Sequence, residues 1–313
     1  MMRFIRVSVL LLVFTGSASA IPITNLFNFG DSFSDTGNLS LATGGFPPAP
    51  YAPGRFTSNF TDGTDGTVWY DVAASQLGFS SANSLIGGNN YAWAGARTGP
   101  LGGGFPPSLL DQTQAYLGDV GGVADSGALY SVWGGGNDIR DNDIGNSVAN
   151  ISSVISSLHL AGAMNFFIPN QSDIGLTPES AAGLAPGGTA AEITAASLLF
   201  NSQLQSELQW LEANLGVNII KFDLSSIFDD VVLNPADFGF SNVTDSCFNG
   251  LTLCADPDSY LFFDGIHPTA AAHTIIGNFA VAAIMEATMV PAPATLALLL
   301  SGLAIFCLRR KKV

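Results

Sequence analysis

Short apolar runs alternate with amphipathic stretches through most of the chain. Ile23 to Phe29 reads as a strand ending at Gly30, and Ala128 to Trp133 as a second, ending at Gly134-Gly135-Gly136. Val148, Ile151, Ile155 and Leu158 recur at 3-4-3 spacing, which puts them on one face of a helix. Gly162 can end that helix, and Met164 to Ile168 follows as a buried strand stopped by Pro169. Ile193, Phe200, Leu204, Leu208 and Leu211 mark a longer helix, with Val217 to Phe222 as the next strand. Pro268 stands where a last helix would start, with Ala270 to Ala287 behind it. The Pro/Gly-rich stretches Gly44–Gly54 and Gly99–Pro107 read as surface loops. Strands alternating with helices predict an α/β fold with a mostly parallel sheet covered on both faces. Functional groups then belong on loops at the carboxyl ends of the strands.

The ends break this pattern. Arg3 and Arg6, the apolar run Val7 to Phe14 and the small residues Ser17-Ala18-Ser19-Ala20 have the layout of a signal peptide. Cleavage after Ala20 leaves Ile21 as the mature N-terminus. At the other end Leu296 to Leu308 is almost wholly apolar and runs into Arg309-Arg310-Lys311-Lys312, a basic end that favours a membrane segment with a cytoplasmic C-terminus. With Val290-Pro291-Ala292-Pro293-Ala294-Thr295 before it, this end resembles the PEP-CTERM sorting tail of Gram-negative bacteria. Ala292 stands where that motif usually has Glu, and a tail left unprocessed would persist as an anchor. The expected division is 1–20 signal peptide, 21–289 catalytic domain and 290–313 sorting tail. The resemblance implies a protein exported to the periplasm or cell surface, a sorting protease as partner, and membrane contact through residues 296–308.

Composition narrows the classes further. The chain has 313 residues, 47% hydrophobic and 11% charged, enough for a large core and unlike a disordered protein. Its formal net charge is −15. Six of the ten basic residues lie in the two ends, so the body sets Arg55, Arg97, Arg140 and Lys221 against all 25 acids. Such a body lacks the basic patch that phosphate backbones require, which excludes nucleic acid as a partner. Export permits disulfides, and Cys247 and Cys254, seven apart in an Asp/Asn-rich loop, can staple it. Cys307 in the tail has no evident partner, and no His near either cysteine suggests a metal site. Asp62 with Asp65, and Asp141 with Asp143, match no complete calcium loop and read as turn chemistry.

Four polar blocks carry the candidate chemistry. In Gly30-Asp31-Ser32-Phe33, Gly30 permits a sharp turn off the strand, and Ser32 is either an exposed nucleophile or an ordinary helix cap. In Asn90-Tyr91-Ala92-Trp93-Ala94-Gly95-Ala96, the small residues let a ligand approach the backbone, so the Gly95 N–H can donate. Gly134-Gly135-Gly136-Asn137-Asp138 presents an Asn amide, and without a following Lys it is no phosphate loop. Asp264-Gly265-Ile266-His267 either spaces a carboxylate to hold one imidazole nitrogen while the other faces a serine, or is an ordinary turn Asp with a surface His. His159 and His273 lie in helices and read as structural.

Taken in order, these blocks resemble the GDSL, or SGNH, hydrolase family over roughly residues 25–286. Phe33 stands where the family name has Leu, and Ala94 where many members have a glycine. Gly54-Arg55-Phe56-Thr57 with Val68-Trp69, and Ile168-Pro169-Asn170 with Leu176-Thr177-Pro178, fit an extracellular branch. The resemblance implies a three-layer α/β/α, flavodoxin-like fold and ester hydrolysis without cofactor or metal. It implies Ser32 as nucleophile, His267 as general base and then acid, and Asp264 as the group orienting His267. The Ser32 N–H, the Gly95 N–H and the Asn137 amide would form the oxyanion hole. A neutral imidazole base implies activity that falls on acidification, through roughly pH 6–7 for an unperturbed ring.

Two ester classes stay open: a lipid-like ester, with the loops near 44–54 and 99–110 walling an acyl pocket, or an acetyl ester on a surface polysaccharide. Phe105 or Leu109 would then shape chain-length preference. A non-catalytic glycan-binding protein on the same fold is the alternative from another class. Its mark would be the loss of one of these groups, and all are present.

Overall fold

The computed structural model describes residues 23–288. The expected signal peptide, the sorting tail and Cys307 lie outside these residues. In chain order the elements are β1 (Leu26–Gly30), α1 (Asn38–Thr43), α2 (Trp69–Leu77), α3 (Leu109–Asp119), β2 (Leu129–Trp133), α4 (Gly136–Arg140) and α5 (Ser147–Leu160). Then come β3 (Asn165–Pro169), α6 (Pro178–Ala181), α7 (Ala190–Leu215), β4 (Asn218–Phe222), α8 (Leu224–Leu233), β5 (Asn242–Ser246), β6 (Tyr260–Phe262) and α9 (Ala270–Thr288).

The strands β1 to β4 form a parallel sheet in that order, with Leu26 beside Leu129 and Asn165 beside Asn218. Side chains alternate across each strand. Phe27, Phe29, Tyr130, Val132, Phe166 and Ile168 enter one apolar layer, packed against α3, α5 and α7. Leu26, Leu129, Trp133, Phe167 and Phe222 enter the other, against α2, α8 and α9. Both faces being covered explains why the strands read as apolar runs rather than alternating ones. The expected three-layer α/β/α architecture is therefore the observed one. Strands β5 and β6 form a separate parallel pair, and β6 leads directly into the Asp264–His267 turn.

Strand and helix limits differ from the sequence expectation by a few residues. The first strand begins at Leu26 rather than Ile23, because Thr24 N–H bonds Gly127 O and Leu26 N–H bonds the Asn25 side chain instead of a strand partner. Helix α9 is long and apolar enough to cross a bilayer, but its Ala272, Ile276, Ala280, Val281 and Ile284 are buried in the second layer. That is the arrangement of a core helix.

Candidate active site

The first block leaves the carboxyl end of β1 through a tight turn. Gly30 has no left-handed φ here. Its requirement is space, since a Cβ would sit 2.8 Å from Trp133 O and 3.1 Å from Ser34 Oγ. Gln112 clamps the same peptide, accepting from Gly30 N–H at 2.9 Å and donating to Gly30 O at 2.8 Å. The chain then folds back, with Ser34 and Asp35 N–H groups on Asp31 O. Ser32 caps no helix. Its hydroxyl lies 2.9 Å from His267 Nε2, so the helix-cap reading is set aside.

The fourth block supplies the other half. Asp264 Oδ1 accepts from the N–H groups of Ile266 and His267 at 2.8 and 2.7 Å. Its Oδ2 lies 2.7 Å from His267 Nδ1. With Nδ1–H donating to that carboxylate, Nε2 is left as the acceptor for the Ser32 hydroxyl. Burial pushes the Asp264 carboxyl up, but the nearby His267 charge, its ring N–H and the two backbone amides outweigh this and hold it well below the usual carboxylate range. Asp264 therefore stays ionised beside the imidazole.

Two further buried groups flank this relay. Burial pushes Asp31 up to about 6, against the Phe33 N–H bond and the attraction of His267. Burial and the nearby His267 charge push His273 down to about 3. His273 Nδ1 accepts from Trp69 N–H at 3.3 Å, while its buried Nε2 has no partner among the described residues. It is structural, as expected, yet only half satisfied.

The second and third blocks converge beside Ser32. Asn90 bridges to Asn28 of β1, so the chain from Asn90 to Trp93 runs along the sheet edge, with Trp93 N–H on Gly30 O. Asp35 Oδ2 accepts Ala94 N–H at 2.8 Å and fixes the next peptide. Gly95 takes φ +79°, a conformation that excludes ordinary side chains. Asn137 lies in the first turn of α4 and gives one amide hydrogen to Ala96 O at 2.8 Å, leaving its second free. Among the described residues, neither Ser32 N–H nor Gly95 N–H has a protein acceptor. Asp138 ties the blocks together through Thr98 N–H, Thr98 Oγ1 and Ser147 Oγ. A cavity of about 20 Å³ opens here, lined by Ser32, Asn137, Gln171, Ile174 and Ile266 among others.

Other expectations are corrected in part and met in part. Leu109 lies fully buried in the first apolar layer, whereas Phe105 is half exposed and meets the Trp93 ring edge-on. The stretch 44–54 is more than a surface loop, because Ala52 is buried and Tyr51 reaches Asp264 Oδ2 at 2.7 Å. Asp62 closes its own turn onto Thr64, and Asp141 and Asp143 both pair with Arg97. The Cys247–Cys254 disulfide is present. Sequence reasoning missed Tyr51, Asp35 and the Arg140–Glu179 ion pair, which braces α4 against α6. Only Tyr51 left a signal, its position just before Gly54-Arg55-Phe56-Thr57.

A parallel α/β sandwich with a serine, an imidazole and a carboxylate in hydrogen-bonded series defines a class of ester-bond hydrolases. The chain belongs to the GDSL-like Lipase/Acylhydrolase family, whose profile matches residues 26–279. It is 30% identical to a GDSL esterase/lipase of Arabidopsis thaliana, over 80% of this chain and 85% of that one. It is 28% identical to esterase EstA of Pseudomonas aeruginosa over 88% of this chain, and spans about half of that protein's length (49%). Among solved structures it resembles Est24, a carbohydrate acetylesterase from Sinorhizobium meliloti (TM-score 0.46, 13% identity, 84% of this chain and 98% of that one). The protein is an ester hydrolase.

Proposed function

We propose that the protein cleaves carboxylic esters of short acyl chains through an acyl-serine intermediate, outside the cytoplasm. The observation that carries the mechanism is the hydrogen-bonded series Ser32–His267–Asp264, at 2.9 and 2.7 Å. Ser32 Oγ attacks the ester carbonyl while its proton passes to His267 Nε2. Asp264 stays ionised and faces the imidazolium that forms. The carbonyl electron pair moves onto oxygen, where Ser32 N–H, Gly95 N–H and the second Asn137 amide hydrogen receive it. Collapse expels the alcohol, which takes the proton from Nε2. Water then attacks the acyl-serine with His267 again as base, releasing the acid and restoring Ser32.

The small cavity supports the short acyl chain. About 20 Å³ of room for the centre of a water-sized group suits a small acyl group better than an extended chain. An acetyl methyl fits; a long chain would have to lie outside, over Phe105 or the half-exposed Phe46. Hydrolysis of nitrophenyl esters from acetyl to palmitoyl tests both ideas in one series. Acetate should be the best substrate, and Ser32→Ala should lose activity by about 10⁴-fold or more. Asn137→Ala should lose about 10²–10³-fold. A palmitate optimum would sink the short-chain reading, and an active Ser32→Ala protein would sink the nucleophile.

Export rests on the layout of residues 1–20, and surface sorting on that of 290–313. Mass measurement of full-length protein expressed in a Gram-negative host should give Ile21 as the N-terminus. A chain still starting at Met1 would refute export, and one still carrying residues 296–308 would make the tail an anchor.

A further inference from the structure

The stretch from Tyr51 to Ser58 meets the turn that carries Asp264 and His267 at four places. Tyr51 Oη donates to Asp264 Oδ2 at 2.7 Å. The Phe56 ring lies 5.1 Å from the His267 ring. Thr57 Oγ1 donates to Pro268 O at 2.9 Å, and Ser58 Oγ accepts Ala270 N–H at 3.0 Å. The Tyr51 ring is itself held edge-on by Phe56, Phe248 and Phe263. The hydroxyl thus arrives at the carboxylate on a rigid arm.

The Asp264 carboxylate consequently takes four donors: two backbone amides on Oδ1, and His267 Nδ1–H with Tyr51 O–H sharing Oδ2. Burial and the Asp264 charge push the Tyr51 hydroxyl above its ordinary range, so it stays a neutral donor. A donor on the oxygen that faces the imidazole draws charge away from it. It also stops the carboxylate from rotating when His267 gains a proton.

We propose that Tyr51 is a positioning residue of the ester hydrolase, which fixes Asp264 and sets how strongly that carboxylate holds the protonated His267. This rests on the Ser32–His267–Asp264 reading above. The other titratable groups acting on the pair are Arg140 from α4, near Asp264, with Asp31 after β1 and His273 in α9, both near His267. None of them changes in Tyr51→Phe, which keeps the ring and removes only the donor.

The sign follows from electrostatics. Without the donor, more negative charge faces the imidazole, and the protonated ring is favoured. In Tyr51→Phe the acid limb of kcat/KM for nitrophenyl acetate should therefore move to higher pH, by about half a unit or more. At pH 8 kcat should fall about tenfold, the usual scale for one hydrogen bond to a charged group, with KM within about twofold. Replacing Tyr51 by 3-fluorotyrosine keeps the shape and strengthens the donor, and should move the limb the opposite way. A purely packing role predicts an unmoved limb in both proteins, and that result would overturn the proposal. Ser32→Ala, run in parallel, separates the two readings. If it is inactive and the limb is unmoved, Tyr51 alone is wrongly assigned. If it is active, the catalytic reading and the role of Tyr51 fall together.

Discussion

Asp31 and His273 are both buried within electrostatic reach of His267, and their protons pull stability in opposite directions. Asp31 has a folded value of about 6 against an ordinary 3.8. The folded state therefore holds a proton that the unfolded state releases, and stability from this group is lost as pH rises from about 4 to 6. His273 is the reverse, at about 3 against 6.5. Its contribution is full above about pH 6.5 and is lost as pH falls toward 3. The shifts correspond to about 3 and about 5 kcal/mol, and between pH 4 and 6 their slopes largely offset. Urea unfolding across pH 4–8 should show this through single variants. Asp31→Asn should gain stability above pH 6, match the wild type near pH 4, and so fall more steeply on acidification. His273→Gln should instead become more stable as pH drops from 6 to 4. Curves parallel to the wild type would show that neither group titrates this way. None of this was legible in the sequence, because burial of a particular carboxyl or imidazole is a property of the assembled layers.

Among the elements, strands and long helices were readable because their apolar spacing reports directly which face is covered. The 3-4-3 spacing from Val148 to Leu158 became the buried face of α5, and Ile193 to Leu211 that of α7. The segments between them were not readable, since a loop's partners lie far along the chain. The stretch 44–54 looked like solvent-facing Pro and Gly, yet it braces a turn more than 200 residues away (213 from Tyr51 to Asp264). Gly30 was placed correctly at the turn off β1, but the crowding that demands a glycine there was not legible. It serves close approach to β2, where a Cβ would meet Trp133 O. Gly30→Ala should accordingly force the Trp133 carbonyl or the Ser34 side chain aside, lowering stability by about 1–3 kcal/mol. It should also lower kcat, because the displaced peptide is the one that aims Ser32. Thermal melts and initial rates on one preparation check both. A variant with unaltered stability and rate would mean the turn yields freely.

At the scale of the molecule, the candidate site was more legible than the frame around it. Ser32, Gly95, Asn137, Asp264 and His267 belong to four short blocks, and the structure brings all four to one end of the parallel sheet. No block was decisive alone; their fixed order along the chain, which resembles that of the family, is what singled these residues out. What could not be read was the connecting chemistry. Asp35 on Ala94 and Asp138 on Thr98 join block to block, and Arg140 on Glu179 ties α4 to α6, through side chains that look like ordinary surface acids and bases.

The hydrogen bond between Ser32 and His267 joins residues 235 apart, the first block to the last. While the chain is being made, Ser32 is an ordinary alcohol, no more reactive than any other serine. Contacts of such long range also form late and slowly, after the intervening loop has been organised. Reactivity is thus tied to completion: every strand of the sheet and the start of α9 must be in place before the imidazole reaches the hydroxyl. A hydrolase built this way carries its own safeguard during synthesis, because the unfinished chain has no catalyst to restrain.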